Sequence, residues 1–278
     1  MQPLWSSSLS EQPRGLGLAR ERGWLLAWSG DSWLRLLDYS GHLQAQRKLP
    51  GAVTAACVAD DGSAIIAVGD TTLWWLAADL TTRWQMNLSA PALAIAVDSF
   101  GQYVAVSDHA SGLRYFDSRS KTIATTSCPR PLYHLAFAAG RAALFASADF
   151  GFVGAFDLGG HTLWRDGLVA HVGGLAVTGD GAQMMVACFS DGIQRYTGEG
   201  HRLDKLTASE PARLVGVSFD GHRILLGGLK SCLVLLDGQG RELATTSLEK
   251  SVIALGVAAL GDHAAVIQSD GTLVNLTL

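Results

Sequence analysis

The chain has 278 residues, of which 48% are apolar and only 17% charged, and its formal net charge is -4. The apolar fraction is too high for a disordered chain, and the length allows one large domain or two ordinary ones. Proteins that bind nucleic acid usually carry a basic excess, so the slight acidity of this chain favours other partners.

The amino-terminal residues lack the basic start and the apolar run of a secretory signal. No stretch of about 18 residues is free of polar residues and turn signals, so the sequence predicts no membrane span. The four cysteines form neither a CxxC pair nor a short cluster, which argues against a disulfide framework and a cysteine zinc site. We therefore expect a cytoplasmic protein with free, mostly buried thiols at Cys57, Cys128, Cys188 and Cys232.

A repeat of 39 or 40 residues runs along the whole chain. In each line, a short apolar segment, a turn with glycine and a second apolar segment are followed by another turn and two further strand-like segments. Asp-Gly turns such as Asp61-Gly62 are a strong hairpin signal, because glycine tolerates a positive φ. The lines begin at Pro13, Ala52, Pro91, Pro131, His171, Pro211 and Ser251.

The first segment of each line alternates large and small residues. Val215 and Val217, for example, flank Gly216. A period of two indicates a strand whose large and small residues lie on opposite faces. For the same reason, the neighbouring residues Trp74 and Trp75 of another strand must point in opposite directions. A face made of Gly, Ala and Cys must be closely approached by another part of the protein, as on the innermost strand of a radial sheet.

Four short antiparallel strands in about 40 residues form one blade of a β-propeller. The last line, 251–278, has 28 residues, and residues 1–12 bring it to the length of the others. The sequence therefore predicts an all-β, single-domain, seven-bladed β-propeller with four antiparallel strands per blade, in which the amino-terminal strand closes the seventh blade. The predicted blades are 13–51, 52–90, 91–130, 131–170, 171–210, 211–250 and 251–278 with 1–12.

The third strand of four lines ends in an apolar residue followed by aspartate, as in Leu37-Asp38. The period, the strand order and this ending resemble the WD40 repeat over the whole chain, although the Trp-Asp dipeptide does not occur. A tryptophan in the fourth strand is similar to quinoprotein-like repeats. The WD40 resemblance implies a protein–protein interaction scaffold that binds its partner on one rim. The fourth-strand tryptophans are Trp5, Trp84 and Trp164.

No assembled catalytic or metal-binding set is visible in the sequence. The innermost strands hold a single carboxylate, whereas calcium takes about six or more oxygen ligands. The histidines show no HxH or HExxH spacing, and P-loop and GxSxG motifs are absent. We expect no metal, no cofactor and no enzymatic activity. The charged residues and histidines of the innermost strands are Arg14, Arg20, Asp98, His134 and Arg213.

Two other functional classes remain open. One is a quinoprotein-like or lactonase-like propeller that acts as an enzyme or cofactor binder through a site built from loops. The other is an envelope assembly factor similar to quinoprotein-like lipoproteins, which the lack of a secretory signal disfavours.

The turns between second and third strands lie at one end of a propeller, together with the connections between blades. Turn chemistry explains most of the aspartates there. A phenylalanine in such a turn is less expected, and tryptophan is enriched at interface hot spots. We predict a monomeric ring that binds a basic or neutral protein partner at this end, and neither nucleic acid nor a membrane. The candidate partner-binding residues are Trp33, His109, Phe150, Asp191 and Lys230.

Overall fold

The computed structural model describes residues 1–9, 12–189, 191–228 and 230–278. In these ranges the regular elements are all β-strands, and no helix has the length and apolar character needed to cross a membrane. The strands are, in chain order, β1 (Gln2–Ser8), β2 (Pro13–Ala19), β3 (Trp24–Ser29), β4 (Trp33–Leu37), β5 (Leu43–Lys48), β6 (Ala55–Val58), β7 (Ile65–Gly69), β8 (Thr72–Leu76), β9 (Thr82–Asn87), β10 (Ala92–Val97), β11 (Tyr103–Asp108), β12 (Gly112–Asp117), β13 (Thr122–Ser127), β14 (His134–Phe137), β15 (Ala143–Ser147), β16 (Val153–Asp157), β17 (Thr162–Asp166), β18 (Gly174–Val177), β19 (Gln183–Ala187), β20 (Ile193–Thr197), β21 (Ala212–Val217), β22 (Arg223–Gly228), β23 (Cys232–Asp237), β24 (Glu242–Ser247), β25 (Val252–Val257), β26 (His263–Gln268) and β27 (Thr272–Thr277).

These strands form a seven-bladed β-propeller, as the repeat predicts. Consecutive strands pair antiparallel within each blade, and the innermost strands β2, β6, β10, β14, β18, β21 and β25 contact one another in a closed ring. The seventh blade has the order β25–β26–β27–β1, so the amino-terminal strand closes it from the outside. The pairing of Gln2 with Thr277 confirms the predicted closure.

The fifth blade differs from the other six at its outermost position. Its sheet has three strands, β18–β19–β20, and the segment where a fourth would lie is joined to β20 by isolated bridges from Leu206 to Ile193 and from Arg202 to Tyr196. The buried side chain of Gln194 donates a hydrogen bond of 2.8 Å to the carbonyl of Leu203 in this segment. A side-chain amide thus contributes to holding the outer segment in place.

Close approach between blades explains the small residues of the innermost strands. A Cβ atom on Gly216 would stand 2.8 Å from Cδ1 of Leu255, and one on Gly256 would stand 3.0 Å from Cβ of Leu18. Both partners belong to the innermost strand of the next blade. The expectation that something must approach the small-residue face is therefore confirmed, and the neighbouring strand is what approaches it.

Tryptophans join neighbouring blades in two ways. Trp74 and Trp75 of β8 are buried in two different hydrophobic clusters, one on each face of the second blade, which confirms their predicted opposite directions. The fourth-strand tryptophans each donate a hydrogen bond to a carbonyl in the last turn of the following blade. In each bond the indole Nε1 is the donor and a backbone carbonyl is the acceptor: Trp5 to Tyr39 at 2.8 Å, Trp84 to Ser118 at 2.9 Å and Trp164 to Gly198 at 2.9 Å.

The aspartates that end the third strands stabilise the turns that follow them. In Asp237, Oδ1 accepts hydrogen bonds of 2.9 Å from the backbone N–H groups of Gln239 and Arg241. Asp38 and Asp117 accept the corresponding pairs of bonds in their own blades. This repeated aspartate is therefore a turn-capping residue.

Acid is expected to weaken the fold through such capping carboxylates. The backbone N–H groups of Ala182, Arg241 and Thr272 lower the pKa of Asp180, Asp237 and Asp270, respectively, below the ordinary 3.8. A carboxyl with a lowered folded-state pKa contributes stability above its unfolded pKa and loses it as the pH falls.

Urea unfolding between pH 6 and pH 3 should therefore show stability falling below about pH 4. The triple variant Asp180→Asn, Asp237→Asn, Asp270→Asn keeps the capping oxygens without the charge, and its stability should fall less steeply. An identical acid profile for the two proteins would contradict the assignment.

Candidate functional site

The turns between second and third strands and the connections between blades form one end of the propeller, which we call the turn rim. All five candidate residues belong to it. Trp33 begins β4 and is half-buried, with the Arg35 guanidinium 5.5 Å from its ring centroid, whereas His109 is exposed in the turn between β11 and β12. Both lie on other blades than the remaining three, which the fold places around one groove.

The first part of this groove is a cavity of about 620 Å³ between the fourth and fifth blades. Phe150 stands beside it, paired through its backbone with His171, and the centroids of their two rings lie 5.1 Å apart. Val169 is 81% exposed, a large fraction for an aliphatic residue. The walls include Asp149, Val169, His171, Val172, Phe189 and Asp191.

The second part of the groove is an adjoining cavity of about 460 Å³ between the fifth and sixth blades. Phe189 and Asp191 line both cavities, so they form the wall between them. Glu210 lines the second cavity and forms an ion pair with Lys230, with 2.9 Å between Nζ of Lys230 and Oε2 of Glu210. We refer to the two cavities together as the blade 4–6 groove.

Phe189 has an uncommon backbone conformation at the centre of the groove. Its φ is 46°, in the left-handed region that favours glycine, and it is the aromatic residue among the described non-glycine residues with positive φ. Such a conformation costs about 1–2 kcal/mol in a residue with a Cβ. The turn is closed by the bond from the N–H of Cys188 to the carbonyl of Gly192 (2.9 Å), which holds Phe189 in place.

The charged groups of the first cavity are acidic. Asp149 is exposed, and no side chain in the described ranges pairs with its carboxylate. Asp191 forms an exposed ion pair of 2.5 Å with Lys205. Burial lowers the pKa of His134, the nearby first residue of β14, despite the opposing effects of the Val172 backbone and Asp149. His134 therefore stays neutral at neutral pH and does not form an ion pair with Asp149.

Elsewhere on the turn rim, two aspartates form hydrogen bonds or ion pairs within the fold. Asp108 accepts backbone hydrogen bonds of 2.9 Å from Ala110 and Gly112 and pairs with Arg114 at 3.4 Å. Asp270 accepts one of 3.0 Å from Thr272. The turn chemistry that the sequence indicates thus accounts for Asp108 and Asp270.

A polar cluster closes the axial channel at the end opposite the turn rim. The channel has a volume of about 290 Å³ and mainly aliphatic walls. Arg20 holds Asp60 with two bonds, Nε to Oδ1 at 2.8 Å and Nη2 to Oδ2 at 3.0 Å, and Ser99 donates a bond of 2.6 Å to Asp60. Arg20 also reaches the Val177 carbonyl at 3.4 Å and lies 4.4 Å over the ring of Phe219. One side chain therefore connects blades on both sides of the channel.

The thiols are free, as expected, and three of the four are buried. Burial raises the pKa of Cys57 to about 12 and that of Cys128 to about 11, so these thiols stay protonated at neutral pH and are weak nucleophiles. In the described ranges, no group of three or more His, Cys, Asp or Glu residues is placed to hold a metal ion.

Comparison with known proteins does not assign this chain to a family. No protein-family model matches the chain, and no curated protein matches it either. The class of the protein is therefore defined by its architecture, a seven-bladed β-propeller with a groove between blades on the turn rim.

Proposed function

We propose that the protein is a non-catalytic interaction scaffold of the WD40-like type, which binds a protein partner in the blade 4–6 groove. The main support is Phe189, because a strained and partly exposed aromatic residue between two cavities is costly for the fold itself. The repeat length, strand order and apolar-Asp endings support the WD40-like type.

The composition of the groove suits a protein surface as its ligand. Protein interfaces combine a desolvated core of aromatic and apolar residues with a polar rim. Here Phe189, Phe150 and the exposed Val169 supply the apolar part, and Asp149 and Asp191 supply the polar part. Three of the residues proposed from the sequence, Phe150, Asp191 and Lys230, adjoin the groove and keep their proposed role. Trp33 and His109 are left as candidates for a wider contact on the same rim.

The variant Phe189→Gly tests the proposal. Glycine relieves the positive φ but loses the half-buried ring, so the free energy of unfolding should change by no more than about 1 kcal/mol. Binding should be lost, because the wall between the cavities disappears. Ser111→Gly is the matched control, since Ser111 also has a positive φ of 65° in a turn of the same rim.

Affinity purification from the native source, with the three proteins as bait, measures the effect. We expect wild type and Ser111→Gly to recover the same partner and Phe189→Gly to lose it. Recovery of the same partner by Phe189→Gly, or of no specific partner by wild type across salt conditions, would overturn the proposal.

A further inference from the structure

The two cavities of the blade 4–6 groove differ in chemistry, and the difference indicates what they bind. The first has two carboxylates in its lining, Asp149 from the fourth blade and Asp191 from the fifth, and no lysine or arginine among its described lining residues. Because Asp191 is paired with Lys205, the acidity offered to a ligand comes from Asp149, which favours a cation and disfavours an anion.

The carboxylate of Asp149 forms no ion pair with a lysine or arginine in the described ranges. Arg130 lies beside the same turn, with its Nε 3.2 Å from the position of a Cβ on Gly151, but it forms no ion pair with Asp149 in the described structure. Lys205 is engaged by Asp191 at 2.5 Å. The carboxylate of Asp149 is thus available to a cationic group from outside.

Part of the lining of both cavities is suited to an apolar side chain. Val169 and Phe189 form the apolar part of the first cavity, and Ala208, Pro211 and Ala212 belong to the walls of the second. Because Phe189 and Asp191 line both cavities, the cationic and apolar positions are neighbours. An extended chain presents alternate side chains to the same side at a spacing of about 7 Å, which suits two adjoining cavities.

We infer that the groove binds an extended peptide segment in which a lysine or arginine, facing Asp149, stands two residues from an apolar residue that packs on Phe189. The inference rests on the proposed function and specifies its partner. The acidic and apolar lining favours such a segment over an acidic peptide or a nucleic acid.

A library of random linear peptides, displayed and selected on the purified full-length protein, tests the inference. Peptides that bind wild type should be enriched in a Lys or Arg two residues from an apolar residue. For a synthetic peptide of the most enriched sequence, we expect Asp149→Lys to weaken binding at least about tenfold, which corresponds to 1.4 kcal/mol. Replacing the basic residue of that peptide with Glu should restore part of the affinity for the Asp149→Lys protein.

Glu21→Lys is the control, because Glu21 is exposed at the opposite end of the propeller and the substitution changes the net charge equally. It should leave binding unchanged. Selected peptides that require Phe189 but show no basic residue, or are indifferent to Asp149→Lys, would overturn this inference and leave the groove as a protein-binding site. If no selected peptide depends on Phe189, the proposed function fails together with the inference.

Discussion

Replacing Arg20 with methionine is expected to lower the free energy of unfolding by about 3–5 kcal/mol, the usual cost of removing one partner from a buried ion pair. Asp60 is 7% exposed and, among the described residues, would keep only the hydroxyl of Ser99 as a side-chain partner. The substitution also removes the bond to Val177 and the contact with Phe219 across the channel. Urea unfolding at pH 7 measures the loss.

Two further variants separate the ion pair from a general effect on the turn. Arg22→Met removes a guanidinium that lies 4.8 Å over the ring of Trp24 at the surface, and it should cost less than about 1 kcal/mol. The double variant Arg20→Met, Asp60→Leu should be more stable than Arg20→Met alone, because it leaves no uncompensated buried carboxylate. Equal losses for Arg20→Met and Arg22→Met would contradict the role assigned to Arg20.

Deletion of residues 1–9 is expected to lower the free energy of unfolding by a similar amount, because it removes a whole strand. It removes β1, whose register with β27 extends from Gln2–Thr277 to Ser8–Thr272, and the bond from Trp5 to the first blade. The lost hydrogen bonds should cost roughly 3–6 kcal/mol. In a chain of this size, the thermal midpoint should fall by roughly 5–12 °C.

The truncated protein should also self-associate, because β27 becomes an unprotected sheet edge. Calorimetry and sedimentation velocity measure the two effects. Addition of a synthetic peptide with the sequence of residues 1–9 should raise the midpoint and reduce the association, as expected for a strand that binds in trans. An unchanged midpoint with an unchanged sedimentation coefficient would contradict the closure of the ring by this strand.

The sequence predicted the blades because their determinants are local and repeated. Gly62, Gly181 and Gly221 stand in the predicted hairpin turns and have positive φ, and the alternation around Gly216 gives the direction of each side chain. The repeat also predicted ring closure, since residues 1–12 complete the last line in length. The outer segment of the fifth blade departs from the pattern, with its isolated bridges and the side-chain bond from Gln194.

The groove and the channel cluster depend on neighbours that are distant along the chain. Val169 lies in the connection between the fourth and fifth blades, and Phe189 lies in a turn of the fifth blade. The packing of the two blades brings them to one cavity. Phe189 could have been noticed, as Phe150 was, because an aromatic residue in a tight turn is unusual. Arg20 was predicted to lie in an innermost strand, whereas β2 ends at Ala19, and its pairing with Asp60 follows from the way the first strands of adjacent blades converge.

The pairing of β1 with β27 constrains the order in which this protein can fold during synthesis. Six blades consist of consecutive segments and can form as each leaves the ribosome, whereas the first strand must wait for a partner 275 residues later. Until then its strand edge and the aromatic ring of Trp5 have no complete docking site. The seventh blade therefore cannot be completed before β27 has been made, and until then the edge of β1 stays open to pairing with other chains.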